Sequence, residues 1–104
     1  MSDNRRQNNR VGANLPIEIY VDSQVTIQGR VKDLSSKSAF IQMKSSVYMQ
    51  LNDELNFLIK LSQGAENDVG GVGRISRIAP GEGIAIYFTQ MDEAGTSRLQ
   101  QLIR

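Results

Sequence analysis

Apolar and polar residues alternate along most of this chain with a period of two, the spacing of strands that bury one face. Pro16 opens Ile17-Glu18-Ile19-Tyr20-Val21, in which Ile17, Ile19 and Val21 share a face and Glu18 and Tyr20 take the other. After a break at Asp22-Ser23 the same period runs through residues 25–31; Gly29 within it marks a bulge, a close approach of another backbone, or a plain weakening of the strand. Ala39-Phe40-Ile41-Gln42-Met43 is a third run, and residues 55–61 form a fourth with Phe57, Ile59 and Leu61 inward. Residues 44–53 between them show no clean period and read as loop with room for a short helical turn, and the polar residues 62–68 read as a hairpin loop. Val69-Gly70-Gly71-Val72-Gly73 is expected to be a flexible or bulged approach to a fifth strand through Ile75 and Ile78, which ends in a turn over Pro80-Gly81-Glu82-Gly83. Ile84-Ala85-Ile86-Tyr87-Phe88-Thr89, nearly continuous in apolar character, predicts a central sixth strand.

The period then changes. Leu99, Leu102 and Ile103 stand at i, i+3 and i+4, which predicts a terminal helix with one apolar stripe, capped by Asp92-Glu93 or by Thr96. Residues 1–14 are rich in Asn, Arg, Gln and Ser without apolar period, so they are expected to form a flexible arm ahead of a folded domain spanning 15–104. Six short strands and a terminal helix predict an all-β fold, a small six-stranded antiparallel barrel with a C-terminal α-helix covering its open end or side. Closure of the sheet leaves few exposed edges.

Composition narrows the function classes. A chain of 104 residues with an apolar fraction of 39% supports one domain with one core. No apolar run approaches the roughly 18 residues of a membrane span, so no membrane insertion is expected. The N-terminus, Met-Ser-Asp-Asn-Arg-Arg, has no apolar stretch behind its charges, which points away from a secretory signal and toward a cytoplasmic protein. With no Cys and no His, thiolate catalysis, the commonest general base and the usual zinc ligands are all missing, so neither an enzyme nor a metal protein is expected. A net charge of +1, with three Tyr, three Phe and no Trp, argues against a nucleic-acid binder, which needs a basic face or many stacking platforms. Charge is instead concentrated locally in Arg5, Arg6 and Arg10, offset only by Asp3, where the ordinary reading is a solvated terminus.

The candidate chemistry lies in the polar turn Asp33-Leu34-Ser35-Ser36-Lys37-Ser38 between the second and third strands. Asp and Ser side chains bond to nearby backbone groups and hold such turns, and their remaining oxygens can face a partner. The glycines at 70, 71 and 73 lack the spacing and the Lys-Ser/Thr pair of a phosphate loop. Arg6-Gln7-Asn8-Asn9-Arg10, an Arg-x-x-x-Arg ahead of the first strand, together with Asp33-x-Ser35-x-x-Ser38 in the turn, resembles the PilZ domain family, bacterial receptors for cyclic di-GMP whose motif reads Asp-x-Ser-x-x-Gly. The resemblance covers essentially the whole chain.

The resemblance implies cyclic di-GMP as a regulatory ligand, with Arg6 and Arg10 as principal anchors and Arg5 as an auxiliary. Arg suits this ligand because its planar fork pairs bidentately with phosphate oxygens or with guanine O6 and N7. Asp33 would accept hydrogen bonds from guanine N1 and N2 or orient an arginine, and Ser35 would offer a hydroxyl to base or phosphate. Ser38 departs from the motif's Gly; if the bound turn is left-handed there, its Cβ costs roughly 1–2 kcal/mol, about tenfold in affinity. The implied function is a receptor in which ligand orders the arm and alters a surface for a downstream protein partner. The alternative is a degenerate relative that keeps the barrel and works by protein contacts alone.

Overall fold

The alternating runs close on themselves. The computed structural model describes residues 11–21, 25–43, 49–61 and 67–103. Its strands are β1 (Val11–Tyr20), β2 (Thr26–Leu34), β3 (Ser38–Gln42), β4 (Glu54–Ile59), β5 (Val69–Ala79) and β6 (Gly83–Met91), followed by helix α1 (Glu93–Ile103). Around the barrel the order is β1-β2-β3-β6-β5-β4, and β4 pairs back onto β1 with Ile17 opposite Ile59 and Ile19 opposite Phe57. Every neighbouring pair is antiparallel, so the expected six-stranded barrel with a C-terminal helix is the fold. Inward positions hold Ile17, Ile19, Val31, Ile41, Ile75 and Ile86, all essentially inaccessible to solvent. Each such side chain contributes about 1.5–3 kcal/mol by leaving water, which is why the alternating pattern dictates the strand faces.

Two local expectations are corrected and two are resolved between their alternatives. Residues 11–14, assigned to the arm, belong to β1: Val11 lies opposite Leu34 and Gly12 opposite Asp33. Val11, Ala13 and Leu15 face the core and pack against it in part while Gly12 and Asn14 face solvent, so the alternation of Ile17 and Ile19 continues back to Val11, muted by the small Ala13. Residues 69–73, expected as a flexible or bulged approach, open β5 itself, running opposite β4 from Val69 at Ile59 to Gly73 at Leu55, and the register against β6 shifts between Val72 and Gly73, the bulged alternative. The Phe57 ring lies across from Gly71 and packs on Phe88 with ring centroids 5.3 Å apart. Gly29 is the close approach: a Cβ there would stand 2.7 Å from the Gln42 carbonyl oxygen.

The second correction concerns α1. Asp92 caps it, its Oδ1 accepting from the Gly95 N–H at 2.6 Å, as one of the expected caps. The buried stripe, however, is Gly95, Leu99 and Ile103 rather than Leu99, Leu102 and Ile103; Leu102 is 43% exposed. Gly95 sets this rotation, because the helix's first turn lies so close to Val69 and Met91 that a Cβ would meet each at 3.0–3.1 Å. Among the described residues no helix is long and apolar enough to cross a membrane.

Candidate ligand-binding corner

Strict alternation from Ile27 through Gly29 and Val31 would carry Asp33 into the core. The strand avoids this by a bulge. Val31 pairs with Ile41 and Asp33 with Phe40, so Lys32 is one residue more than β3 can match, and it faces solvent. An extra residue moves everything after it to the opposite face. Leu34 is thereby fully buried while Asp33 takes the outer face, half-buried beside Phe40. A matching shift in β1 between Gly12 and Leu15 keeps Gly12 alongside Asp33. The start of β1 and the end of β2 thus form one corner.

The turn beyond Leu34 is braced from within. The Ser35 N–H donates to the Ser38 carbonyl at 2.8 Å. Ser35 Oγ accepts from the N–H groups of Ser38 at 3.0 Å and Lys37 at 3.2 Å, and lies 3.1 Å from Ser38 Oγ. Two N–H donors occupy both acceptor positions of a hydroxyl. Ser35 is completely buried, and its hydroxyl braces the turn. Ser38 is extended in β3; among the described non-glycine residues, positive φ occurs at Asn52 (70°). The Phe88 N–H donates to the Lys37 carbonyl at 2.8 Å, which ties the turn to β6.

Of the sequence-predicted site, the structure brings Asp33, Ser35 and Ser38 together at this turn. Arg5, Arg6 and Arg10 lie outside the described residues. No group of His, Cys, Asp or Glu among the described residues is arranged to hold a metal.

A folded arrangement of this kind can be compared with known ones, and the family model for the PilZ domain matches residues 4–104. This chain belongs to the PilZ domain family. Solved structures agree on the PilZ barrel. The Bacillus subtilis inhibitor of motility (MotI/DgrA) superposes with a TM-score of 0.80 at 16% identity over 95% of this chain, which spans only 49% of that one. The PilZ domain of CeSA from a cellulose-synthesizing bacterium gives 0.63 at 24% identity, covering 91% of this chain and 94% of that one. The PilZ domain of YcgR from Escherichia coli, solved with c-di-GMP, gives 0.68 at 15% identity, covering 95% and 88%. No curated protein sequence matches the chain.

Sequence reasoning missed the bulge and, with it, the neighbours of Asp33 on the outer face: Phe40, Tyr87 and Arg77. One signal was present. An acidic residue in inward phase followed at once by a Leu marks a strand that must change face.

Proposed function

We propose that this PilZ domain is a receptor for cyclic di-GMP and that it holds the ligand at the corner formed by β1 and the β2–β3 turn. The observation that carries the reading is the bulge, which turns Asp33 outward beside the first residues of β1. Arg10 is bonded to Val11, which lies opposite Leu34, so the Arg-x-x-x-Arg segment joins the barrel at the Asp33 corner. Consecutive Cα atoms are about 3.8 Å apart, so an arginine side chain starting there reaches a ligand on Asp33. Arg6 and Arg10 supply forks to phosphate or guanine, Arg5 assists, and Asp33 accepts from guanine N1 and N2. Ser35 acts indirectly by fixing the turn. Ligand orders the arginine segment over the corner and so alters the surface offered to a downstream protein.

Calorimetric titration with cyclic di-GMP tests this. Arg6→Ala, Arg10→Ala and Asp33→Ala are each expected to weaken binding more than about tenfold, the loss of a charge-assisted hydrogen bond, with little change in melting temperature. Lys60→Ala, just past β4 and beside Glu18, is the control and leaves affinity unchanged. Absence of binding in the parent chain would favour the second reading, a nucleotide-free interaction module, to which Ser38 in the Gly position lends support.

A further inference from the structure

The outer face of β3, β6 and β5 next to the corner carries an arrangement that the motif residues leave unexplained. Pairing registers lay Asp33, Phe40, Ala85 and Arg77 in one row across four strands, and Ser38, Tyr87 and Arg74 in the next. The rows are two residues apart on β3 and β6, about 6.6–6.8 Å, and three apart on β5, where a register shift between Ile75 and Arg77 returns Arg77 to the outward face; Ala39, Ile75 and Ile86 between them are buried. Ala85 is small and buried, and the Arg77 guanidinium lies over the Phe40 ring, 5.5 Å from its centroid. Tyr87 is 39% exposed, one of three large apolar or aromatic side chains with that much surface in water among the described residues. Past it along the same strand pair a groove of about 500 Å³ is lined by Gly71, Val72, Thr89 and Gln90.

We infer that this face is a stacking floor for a guanine base, with Tyr87 as the platform and the Phe40–Arg77 pair as its edge, an assignment that rests on the cyclic di-GMP reading above. A base held by its Watson–Crick edge on Asp33 has its plane free, and an aromatic ring on the neighbouring rows supplies a partner for that plane. The charge on the face fits an anionic ligand. Arg74 is tied to the Asn52 carbonyl at 2.8 Å and stands 3.9 Å from Glu54, whereas Arg77 has a ring and, among the described residues, no carboxylate beside it. Its guanidinium can keep the ring contact through its plane while its edge donates to a phosphate oxygen. Tyr87 is therefore a binding residue that recognises shape and π-surface, and Asp33 one that recognises the guanine edge.

The test is cyclic di-GMP titration of the full chain and three variants at one position. Tyr87→Phe keeps the ring and is expected to bind within about twofold of the parent, while Tyr87→Leu keeps apolar bulk without the π-face and loses about tenfold, the size of one base–aromatic stack. Tyr87→Trp, in a chain with no other Trp, is expected to change its emission on saturation, a signal that a role in packing alone does not produce. Equal affinity for parent and Tyr87→Leu, with unchanged Trp emission, overturns the floor. If at the same time Arg10→Ala weakens binding, the receptor reading stands and only the floor is lost. A parent chain that binds no cyclic di-GMP overturns both.

Discussion

On the outer face of β1 and β4, Tyr20 donates to Glu18 Oε1 at 2.7 Å and Lys60 Nζ lies 3.4 Å from Glu18 Oε2. On the outer face of β3, β6 and β5, Tyr87 stands in water and Arg77 lies on a ring. The two faces draw on similar side chains: tyrosine, cation, carboxylate. The first also borders a groove, about 330 Å³ between Pro16, Gln28, Arg30 and Lys60, yet its central charges and its phenol answer one another. A ligand arriving there must displace hydrogen bonds already made, and the exchange gains little. On the second face Tyr87 exposes its ring and Arg77 rests its guanidinium on Phe40, so a planar ligand gains a stacking surface there without displacing a hydrogen-bonded phenol–carboxylate pair. The placement of side chains by strand phase, more than their chemical type, distinguishes a binding surface from a self-satisfied one.

If phase is decisive, removing the device that sets it should have the largest effect. Deleting Lys32 abolishes the bulge, and β2 must then either turn Asp33 inward or pull Leu34 out of the core. Loss of one fully buried Leu with its cavity costs about 3 kcal/mol or more, and a carboxylate brought inside costs at least as much. The expected outcome is a denaturation midpoint far below the parent, or no cooperative fold. A deletion variant with the parent's midpoint would show that β2 reaches its register without the bulge.

A smaller loss is expected at the brace. Ser35→Ala removes the acceptor of the Lys37 and Ser38 N–H groups in a site closed to water, worth about 1–3 kcal/mol in unfolding experiments. Ser36→Ala, next to it and half-buried, is expected to change stability by less than about 0.5 kcal/mol. Equal effects would mean that the turn is held by its backbone bonds alone.

The barrel was legible because its core is written in alternation: Ile17, Ile19, Phe57 and Ile59 show the period of two directly, and β6 stands out by its unbroken apolar run. What alternation cannot show is where it slips. The bulge at Lys32 carries no glycine and no proline, only a change of phase between Val31 and Leu34, and the alternation that runs back through Ala13 to Val11 is muted by the small residues at 12 and 13. The motif turn was visible as Asp33, Ser35 and Ser38, but hydroxyls that brace a turn and hydroxyls that face a ligand are the same letters in a sequence. The helix rotation was hidden for a similar reason, since Gly95 adds nothing to an apolar stripe until Val69 and Met91 are known to press on it.

Ser38 sharpens the comparison from the side of the binding face. The turn has no left-handed residue at 38, so it holds no strain there for a glycine to release. Ser38→Gly is therefore expected to lower stability slightly, by about 0.5–1 kcal/mol, as glycine in a strand does. If ligand drives the turn into the left-handed conformation, the same variant binds cyclic di-GMP about tenfold more tightly, because only the bound state is relieved of the Cβ clash. Weaker binding by Ser38→Gly would instead mean that the Ser38 hydroxyl, 3.1 Å from Ser35 Oγ, contributes to the site.

The smallest effect is expected on the opposite face, where pH is the probe. The Tyr20 hydroxyl bonded to Glu18, helped by Lys60 and opposed by burial, holds the Glu18 carboxyl below its ordinary value of 4.5. The same hydrogen bond, reinforced by burial and by the negative charge of Glu18, holds the Tyr20 phenol above its ordinary value of 10.0. A depressed carboxyl stabilises the fold above its unfolded pKa, and that stabilisation is lost as pH falls through the lower folded value. A raised phenol stabilises the fold below its unfolded pKa, and that stabilisation is lost as pH rises through the higher folded value. The melting-temperature difference between the parent and Tyr20→Phe should accordingly be flat around neutral pH and shrink at both ends, below the ordinary carboxylate range and above the ordinary phenol range. Carbon-detected titration of Glu18 gives the direct measurement: in Tyr20→Phe its midpoint should rise from the depressed value of the parent. An unchanged midpoint would show that the phenol does not hold the carboxylate, and the contrast between a closed face at Tyr20 and an open one at Tyr87 would then rest on Lys60 alone.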